Sequence, residues 1–555
     1  MKKNLILSDL NFEYTKRNKL YLKLFNIAQN ENETIKYHWS DKKILNKDYK
    51  YIQNLHKKVL SFLSKELNRK HKIRYEKNKW EIILGPWLWR FLGVYYDRYK
   101  SLSNINYKVD VKIAKYEKFI AAPQNYQDFI NLFFSKEWNY YICVEIINEL
   151  KNRNIKKTFL DQRLIKHRVN KTNKSFKFFE KFKSKKLFIQ GIGLDKINLI
   201  KLFLFFKIFP YKNYRFEKNL LNFKFNKKAR SLNISKFKFE NKFEEMLIKN
   251  INNHLPISFL EGFSGHIEFA KKFNYYPKNI ITSQLHLNSD LFKLWITLPK
   301  MKNMNLYILR HGGTDLIRMN FETLHEIKIS KKIFGIFSKK NKKILNSPRP
   351  FLINNYKYSN SKKEKILIVD VERGPFNDLR FGPTSISMKN FFNKTLDLSK
   401  KIISNNEIKD NLKIIPYNNE GYNSSLWYKK KIGSKFLAKP KSLDNYLGSA
   451  KLIICRYPLT AYLRCFYSVP TILYITEDWS FNEKLKKILP ALKKNNLIFF
   501  DETSLFNHIL NIKSNPYKWW NSKDVTKAKK LIQNLIYKNN TIEDFCYILG
   551  KQIKI

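Results

Sequence analysis

The spacing of apolar residues divides the chain into a first part with helical periodicity and a second part with short strand-like runs. In YKYIQNLHKKVLSFLSKELNRKH, apolar side chains recur at helical spacing from Tyr51 to Leu63, which is typical of an amphipathic helix. Similar patterns with few glycines fill residues 11 to about 180. We therefore predict that this region is mostly helical and that a first strand precedes it in MKKNLILSDL.

The segment from about 180 to 250 is rich in lysine, phenylalanine and asparagine, and we interpret it as an inserted helical or membrane-proximal piece. Its most apolar stretch, INLIKLFLFFKIFPY (197–211), is interrupted by Lys201 and Lys207 before it reaches membrane-spanning length. Such a helix can lie among lipid headgroups, or it can be buried with its lysines at the rim of a core. The sequence leaves both alternatives open.

After residue 250, short runs rich in β-branched residues alternate with helical segments. The first set of runs is NIITSQLH (279–286), NLYILRHGG (305–313) and IFGIF (333–337). The second set is KILIVDVE (365–372), NLKIIPYN (411–418), KLIICRYP (451–458), PTILYITED (470–478) and NLIFFDE (496–502). Alternation of strand and helix is the pattern of a parallel α/β unit.

We therefore predict an α/β protein with two Rossmann-like, doubly wound domains that face a cleft, with a largely helical N-terminal elaboration. Residues 1–345 are assigned to the N-terminal domain, with helical insertions over about 11–250. The polar stretch 346–364 contains prolines and is predicted to be a linker. Residues 365–555 then form the C-terminal domain.

Charge adds a preference for anionic partners, since 107 Lys and Arg residues stand against 46 Asp and Glu residues in a chain of 555. The lysines are spread throughout and accompany abundant Asn, Ile and Phe, which a compositional bias also explains. No sequence motif for nucleic-acid recognition accompanies the charge, so we do not expect nucleic acid as a partner. The four cysteines lack metal-ligand spacing and fit a reducing cytoplasm.

The run LYILRHGG ends in Arg310, His311, Gly312 and Gly313. Ligands of parallel α/β sheets bind at the carboxyl ends of strands, where glycines let backbone amides approach a phosphate or sugar. Histidine titrates near neutral pH and can take a proton from a hydroxyl group. The sequence predicts a substrate contact here, with a plain structural turn as the alternative.

A second candidate follows the strand-like run KLIIC, where Arg456 and Thr460 flank a proline turn before an apolar helix. A helix N-terminus between two parallel strands can hold a diphosphate, with an arginine as its cationic partner. An ordinary connection between strand and helix is the alternative. The pair His325 and Glu326 could assist the glycine turn, although an exposed charge on a helix explains Glu326 equally well.

Carboxylates give little support for a metal site. The tripeptide Asp370-Val371-Glu372 is similar to a metal-binding Asp-x-Asp, but such tripeptides are frequent by chance. Motifs of P-loop ATPases, zinc proteases and nucleophile-elbow hydrolases are absent. We predict neither a resident metal nor a cofactor.

Residues 37–102 resemble the N-terminal signature of a transferase family found in bacterial surface-polysaccharide loci of the O-antigen type. The shared elements are His38-Trp39, Asp41, Asn68, His71, Trp80, Gly85-Pro86-Trp87 and Asp97-Arg98. Further similarity lies in RHGGTDLIRMNFETLHEIKIS (310–330), in SAKLIICRYPLTAYLRCFYSVPTILYITEDWSFNEK and in the terminal PYKWWNSKDVTKAKKLI.

This resemblance implies a glycosyltransferase-B-like enzyme that moves a sugar from a nucleotide-activated donor without an obligatory metal. The N-terminal domain would bind the acceptor, an oligosaccharide or a lipid-linked one, and the C-terminal domain the donor. His311 would be catalytic, and Arg310, Gly312, Gly313, His325, Glu326, Arg456 and Thr460 would bind substrate, with His38, Trp39, Asp41, Trp87, Asp97 and Arg98 as an N-terminal motif. The enzyme would be cytoplasmic, with peripheral contact to an anionic membrane.

Two other functions stay open at this point. The same cleft and basic surface could hold an anionic polymer or a membrane without chemistry. Alternatively, the same fold could transfer a phosphoalcohol in place of a sugar.

Overall fold

The computed structural model describes residues 3–14, 21–24, 33–115, 119–163, 186–208, 216, 222–318, 320–335, 341–353, 363–379, 382–384, 387–417, 423–439, 442–537 and 540–553. Within these residues the chain forms three five-stranded sheets in which neighbouring strands are parallel. Parallel strands need long crossover connections, so helices cover the sheets.

The first sheet has the strand order β3-β2-β1-β4-β5. Its strands are β1 (Lys3–Ile6), β2 (Tyr21–Lys23), β3 (Glu33–Thr34), β4 (Val109–Lys115) and β5 (Ile155–Arg163). Its helices are α1 (Lys42–His71), α2 (Lys77–Ser103), α3 (Tyr126–Phe133) and α4 (Lys136–Leu150). Asp41 caps α1 by accepting a hydrogen bond from the Lys43 amide, and Lys72 ends it in the left-handed conformation.

The second sheet has the order β10-β9-β8-β7-β6. Its strands are β6 (Leu187–Gln190), β7 (Asn279–Thr282), β8 (Asn305–Leu309), β9 (Lys332–Gly335) and β10 (Ile344–Asn346). The helices in this part are α5 (Lys196–Phe205), α6 (Lys242–His254), α7 (Phe263–Lys272), α8 (Leu285–Asn288), α9 (Asp290–Ile296), α10 (Phe321–Ile329) and α11 (Pro350–Ile353).

The third sheet has the order β12-β11-β13-β14-β15, so the strand order reverses between β11 and β13. Its strands are β11 (Lys365–Val369), β12 (Leu412–Ile415), β13 (Ala450–Cys455), β14 (Thr471–Tyr474) and β15 (Ile498–Phe499). The remaining helices are α12 (Met388–Ile403), α13 (Ser424–Ile432), α14 (Asp444–Leu447), α15 (Thr460–Phe466), α16 (Glu483–Lys494), α17 (Glu502–Ile512), α18 (Pro516–Trp520), α19 (Lys523–Leu535) and α20 (Ile542–Ile553).

The predicted α/β class with parallel-stranded sheets and the opening strand are confirmed, because every apolar run that we expected to be a strand contains one. The region 1–345 differs from the expectation in holding two sheets, so the chain has three sheets in all. We call the part of the chain around each sheet the first, second and third domain, in the order of the sheets. The first sheet lies in the part that we expected to be mostly helical, and its strands β2 and β3 have only 3 and 2 residues. Strands this short carry too few positions for an alternating pattern to be visible.

The C-terminal boundary also differs from the prediction. In α20, Phe545 and Leu549 share an apolar core with Leu187 of β6 and Leu202 of α5, so the last helix packs beside the second sheet. The predicted linker 346–364 contains α11, and its residues 354–362 lie outside the described residues. In the part of the chain that the structure describes, no helix combines the length and the apolar character needed to cross a bilayer.

A short backbone pairing joins the second and third sheets. Ile317 forms an antiparallel bridge with Phe481, and the Arg318 amide donates to the Ser480 carbonyl over 2.8 Å. The backbone amide of Asn482 donates a hydrogen bond to the backbone carbonyl of Leu316 over 3.0 Å. These contacts hold the loop after β8 against the loop after β14, so the carboxyl edges of the two sheets face each other.

Candidate functional site

Two adjoining cavities lie where these carboxyl edges meet. The first, which we call the β8 cavity, has a volume of about 320 Å³. It is lined by Arg90, Tyr126, Gln127, Ile130, Ser283, Gln284, Leu287, Asn288, Arg310, His311, Thr314, Glu322 and Glu326. Because Ser283 follows β7 and His311 follows β8, the cavity occupies the ligand position that is typical of parallel sheets.

His311 is an exposed residue at this cavity, which agrees with its predicted place at a strand end. Partial burial of the imidazole lowers the pKa of His311 below its ordinary value, and the carboxylates of Glu322 and Glu326 only partly oppose that effect. The ring is therefore neutral at neutral pH, and its unprotonated nitrogen can accept a proton.

Arg310 is buried and fully engaged with protein groups. Its guanidinium contacts Asp315 through Nε at 2.8 Å and Glu326 through Nη1 at 2.7 Å, and Nη2 donates to the Thr314 hydroxyl at 2.9 Å. Although burial favours the neutral acid, Arg310 and His286 outweigh it and lower the pKa of Glu326. Arg310 and Glu326 thus form an ion pair in the wall of the β8 cavity, so both residues predicted to bind substrate line this cavity.

His325 is fully buried and faces away from the cavity. Its Nδ1 lies 3.0 Å from Oε1 of Glu81 on α2, and a Cβ at Gly85 would come within 2.7 Å of the same nitrogen. The histidine therefore packs α10 against α2 at a point where a glycine allows close approach. The prediction that His325 binds substrate is corrected accordingly.

Gly312 and Gly313 allow two loops to come into contact across the cleft. The Gly313 amide donates to the Thr460 hydroxyl over 3.0 Å, and a Cβ at Gly312, whose φ is +62°, would meet the same hydroxyl. The sequence suggested that glycines and Thr460 serve phosphate binding. The structure instead shows them joining the second domain to the third.

Gly313→Ala should therefore destabilise the contact between the domains. The new Cβ would lie 2.6 Å from the carbonyl carbon of Leu459, and a backbone group cannot move aside as a flexible side chain can. We expect a loss of about 1 to 3 kcal/mol in the free energy of unfolding, measured by urea denaturation. Gly550→Ala is the matched control, because its Cβ would meet only ordinary contacts of 3.5 Å or more. If Gly313→Ala and Gly550→Ala were equally stable, the close packing of Gly313 against Leu459 would not limit the residue at position 313 as argued.

The second cavity, which we call the interdomain cavity, has a volume of about 310 Å³. It is lined by Arg90, Ile130, Phe134, Thr314, Ile317, Arg318, Asn320, Phe321, Glu322, Arg373, Asp378, Leu379, Gly382, Pro383, Leu459 and Trp479. Arg373 follows β11 and Leu459 follows β13, so the cavity opens where the strand order of the third sheet reverses. Ligands of doubly wound sheets bind at this kind of position.

The charged groups of the interdomain cavity come from both domains. Arg90 lies between two carboxylates, with Nη2 at 3.2 Å from Glu322 and Nε at 3.7 Å from Asp378. Because these carboxylates face Arg90, the further guanidinium groups of Arg318 and Arg373 give the cavity wall a net positive charge. The Arg373 guanidinium lies 5.7 Å from the ring centre of Trp479. Arg90 and Glu322 line both cavities, so the two cavities adjoin.

Arg456 does not line either cavity, and its predicted contact with donor phosphates is wrong. Its guanidinium is fully buried, donates to the Thr395 hydroxyl at 2.9 Å and to the Tyr474 carbonyl at 2.7 Å, and lies against the rings of Phe391 and Tyr474. These contacts fix α12 against β14 inside the third domain. The arginine follows the strand end as predicted, but its side chain points into the core.

The N-terminal motif forms a buried polar network instead of a substrate site. Asp97 accepts hydrogen bonds from the Tyr37 hydroxyl and from Arg98, both at 2.7 Å. Arg98 also donates to the side chain of Asn139 at 2.6 Å and to the backbone carbonyl of Asn377. Because Asn377 belongs to the loop after β11, the network connects α2 to the wall of the interdomain cavity.

The other residues of that motif support the helices. His38 lies 3.6 Å from Asp97, and burial lowers its pKa to about 3. Trp39 donates its indole N–H to Asp48 at 3.0 Å, and Trp87 is fully buried. Asp41 caps α1, and none of the six motif residues lines either cavity.

Several cavity residues were not predicted from the sequence. Ser283, Arg373 and Trp479 follow strands that were predicted correctly, so strand position alone could have indicated them. Arg90 and Gln127 lie within helices and carry no such signal. Asp370 and Glu372 are engaged elsewhere: Asp370 accepts from the Tyr428 hydroxyl, and Glu372 accepts from the Asn423 and Ser424 amides at the start of α13. Among the described side chains, no group of three or more His, Cys, Asp or Glu residues could hold a metal ion.

Parallel sheets whose carboxyl edges enclose a polar cleft define a class, the α/β enzymes that bind ligands at strand ends. Within that class the chain belongs to the LIC12162 family of transferases, whose model matches residues 13–543. The resemblance to a transferase family in residues 37–102 is thereby confirmed. Comparison with curated proteins finds no match.

Solved structures with some likeness include a protein described as a UDP-N-acetylglucosamine 2-epimerase from Listeria monocytogenes, with 10% identity, a TM-score of 0.32, and 53% of this chain and 85% of that chain covered. A second UDP-N-acetylglucosamine 2-epimerase has 8% identity, a TM-score of 0.30 and coverage of 78% and 96%. The wall teichoic acid polymerase TagF has 10% identity, a TM-score of 0.29 and coverage of 52% and 85%. Scores this low carry no weight for function.

Proposed function

We propose that this transferase moves a sugar from a nucleotide-activated donor to an acceptor hydroxyl during assembly of a cell-surface polysaccharide of the O-antigen type. The observation that carries the proposal is the pair of adjoining cavities with different linings. The β8 cavity offers amide and hydroxyl groups beside His311, and the interdomain cavity offers Arg318 and Arg373 beside Trp479. A nucleotide sugar needs both kinds of surface.

The interdomain cavity is the proposed site of the nucleotide diphosphate. Arg318 comes from the second domain and Arg373 from the third, so both domains would neutralise the phosphates together. The ring of Trp479 would provide an apolar surface for the base. This assignment replaces Arg456 and Thr460, whose side chains are engaged in the protein interior and in the contact between the domains.

The β8 cavity is the proposed site of the transferred sugar. Gln127, Gln284 and Asn288 can exchange hydrogen bonds with sugar hydroxyls, because an amide both donates and accepts. Because Arg90 and Glu322 belong to the walls of both cavities, a donor that extends from one cavity to the other would bring its anomeric carbon close to the side chain of His311.

In the proposed reaction, the neutral His311 imidazole takes the proton of the acceptor hydroxyl while that oxygen forms its bond to the anomeric carbon. The bond between the anomeric carbon and the diphosphate oxygen breaks, and the diphosphate leaves with the electron pair. Arg318 and Arg373 would stabilise the negative charge that develops there. The lowered pKa of His311 supports its role as the proton acceptor.

The acceptor is proposed to be an oligosaccharide or a lipid-linked saccharide on the cytoplasmic side of the membrane. The link to surface polysaccharide comes from the family resemblance in residues 37–102. No cofactor is needed in this scheme beyond the donor itself. Because guanidinium groups supply the positive charge, a metal chelator is expected to leave nucleotide binding unchanged.

Arg373→Ala should weaken the binding of nucleoside diphosphates by roughly 10- to 100-fold, the value of a lost hydrogen bond to a charged group. The measurement is calorimetric titration with the nucleoside diphosphate that most raises the melting temperature of the wild-type chain. Arg153→Ala is the matched control, since it removes the same charge from an exposed position outside both cavities.

If no nucleoside diphosphate binds, and long polyanions bind with a steep dependence on salt, the chain is a polyanion binder and the transferase proposal is wrong. If a nucleotide binds, mass analysis of the product distinguishes transfer of a sugar from transfer of a phosphoalcohol.

A further inference from the structure

Helix α5 has an apolar face that is exposed to water. Ile197, Ile200, Leu204 and Phe205 are 66%, 55%, 72% and 53% exposed. The opposite face, with Leu202, is buried in the core beside the second sheet. A surface helix normally has a polar outer face, so a helix that is apolar on both sides indicates that something covers the exposed one.

Helix α20 extends this apolar surface. A Cβ at Gly550 would lie 3.5 Å from the ring of Phe205, and Glu543 pairs with Lys201 at 3.5 Å. These two contacts place the face of α20 that includes Tyr547 alongside α5, and Tyr547 is 66% exposed. The exposed residues therefore form a continuous patch, which we call the α5 patch: Ile197, Ile200, Leu204, Phe205 and Tyr547.

The surroundings of the α5 patch are cationic. Lys196, Lys201 and Lys207 are exposed on or next to α5, and the facing carboxylate of Glu543 is neutralised by Lys201. In the sequence just before β6, residues 164–186 contain many lysines and a single acidic residue.

We propose that the α5 patch binds the surface of an anionic lipid bilayer, with the helix lying in the plane of the interface. The apolar side chains would enter the boundary between headgroups and acyl chains, and the lysines would contact lipid phosphates. With 10 residues, α5 is too short to span the bilayer, which agrees with binding along the surface. This proposal goes beyond the proposed function, because it concerns where the enzyme works and is independent of the donor.

The test is co-sedimentation of the full chain with vesicles of phosphatidylcholine and phosphatidylglycerol at roughly three parts to one, compared with phosphatidylcholine alone. We expect binding to the anionic vesicles that decreases with salt. Leu204→Glu should reduce the partition coefficient by about tenfold or more, since it removes an exposed leucyl group that would enter the bilayer and adds a negative charge. Phe159→Glu is the matched control, because Phe159 is 74% exposed on β5 of a different sheet.

Absence of binding to anionic vesicles, or an equal loss in the Phe159→Glu variant, would overturn the proposal. The other candidate to cover the α5 patch is a second copy of the chain. Light scattering of the protein without vesicles detects such self-association. If the wild type self-associates, Leu204→Glu makes it monomeric and vesicles do not bind, the patch joins two copies of the chain and the membrane assignment is wrong. Nucleotide binding is not used in either measurement, so failure here is distinct from failure of the proposed function.

Discussion

Replacing Arg310 with alanine should lower the free energy of unfolding by about 3 to 5 kcal/mol. The guanidinium contacts Asp315 and Glu326 at 2.8 and 2.7 Å, and Arg310 and Glu326 are both buried. Removing the arginine would leave the carboxylates of Asp315 and Glu326 with much less positive charge beside them. Both carboxylates are poorly hydrated, and an ionised group in such surroundings is costly. Urea denaturation followed by circular dichroism measures the loss.

Two further variants show whether this loss comes from the ion pairs. Arg310→Lys keeps the charge but has no planar fork to hold two carboxylates, so its stability should lie between those of the wild type and the alanine variant. Arg153→Ala removes an exposed arginine and should change stability by less than about 0.5 kcal/mol. A similarly small effect of Arg310→Ala would show that the buried pairs contribute little net stability.

His311→Ala should lower the rate of transfer by about 10²- to 10⁴-fold, which is the usual contribution of a positioned general base. Binding of the nucleoside diphosphate should change little, because His311 lines the β8 cavity and not the interdomain cavity. Product formation and calorimetric titration give the two quantities. If His311→Ala transferred the sugar at the wild-type rate, His311 would not be the general base.

The pH dependence of kcat/KM provides a second measurement of the same role. Because the pKa of His311 is lowered from 6.5, the neutral base is already the main form at that pH. The value of kcat/KM should therefore stay high near neutral pH and fall only when the pH drops below 6.5, the ordinary pKa of a histidine side chain. The acid limb should disappear in His311→Gln, whose amide does not titrate in this range.

Strand positions and the general place of the site follow from the sequence. Buried parallel strands are continuous apolar runs, and β8, β11 and β13 are recognisable as such. Because ligands bind at the carboxyl ends of such strands, the sequence alone is enough to place His311 at the cleft. In the first sheet, β2 and β3 are too short to show a period, whereas the alternation in VDVKIAK of β4 could have indicated a strand.

Side-chain direction could not be predicted in the same way. Arg373 and Arg456 both follow strands of the third sheet, yet Arg373 lines the interdomain cavity and Arg456 is fully buried. The difference comes from Thr395 and Phe391 on α12, which bind the Arg456 guanidinium from a distant part of the sequence. No local pattern distinguishes the two arginines.

The sequence by itself determined the α/β class, most strands of the second and third sheets and the exposed histidine at the end of β8. These features depend on local periodicity and on the topology rule for parallel sheets. Only the tertiary structure decided which polar groups face the cleft. His325 and Arg456 contact partners inside the protein, whereas Arg318 and Arg373 line the interdomain cavity from two domains. Whether a polar group faces the cleft or the interior depends on which partners the fold brings to it, and those partners are remote in the chain.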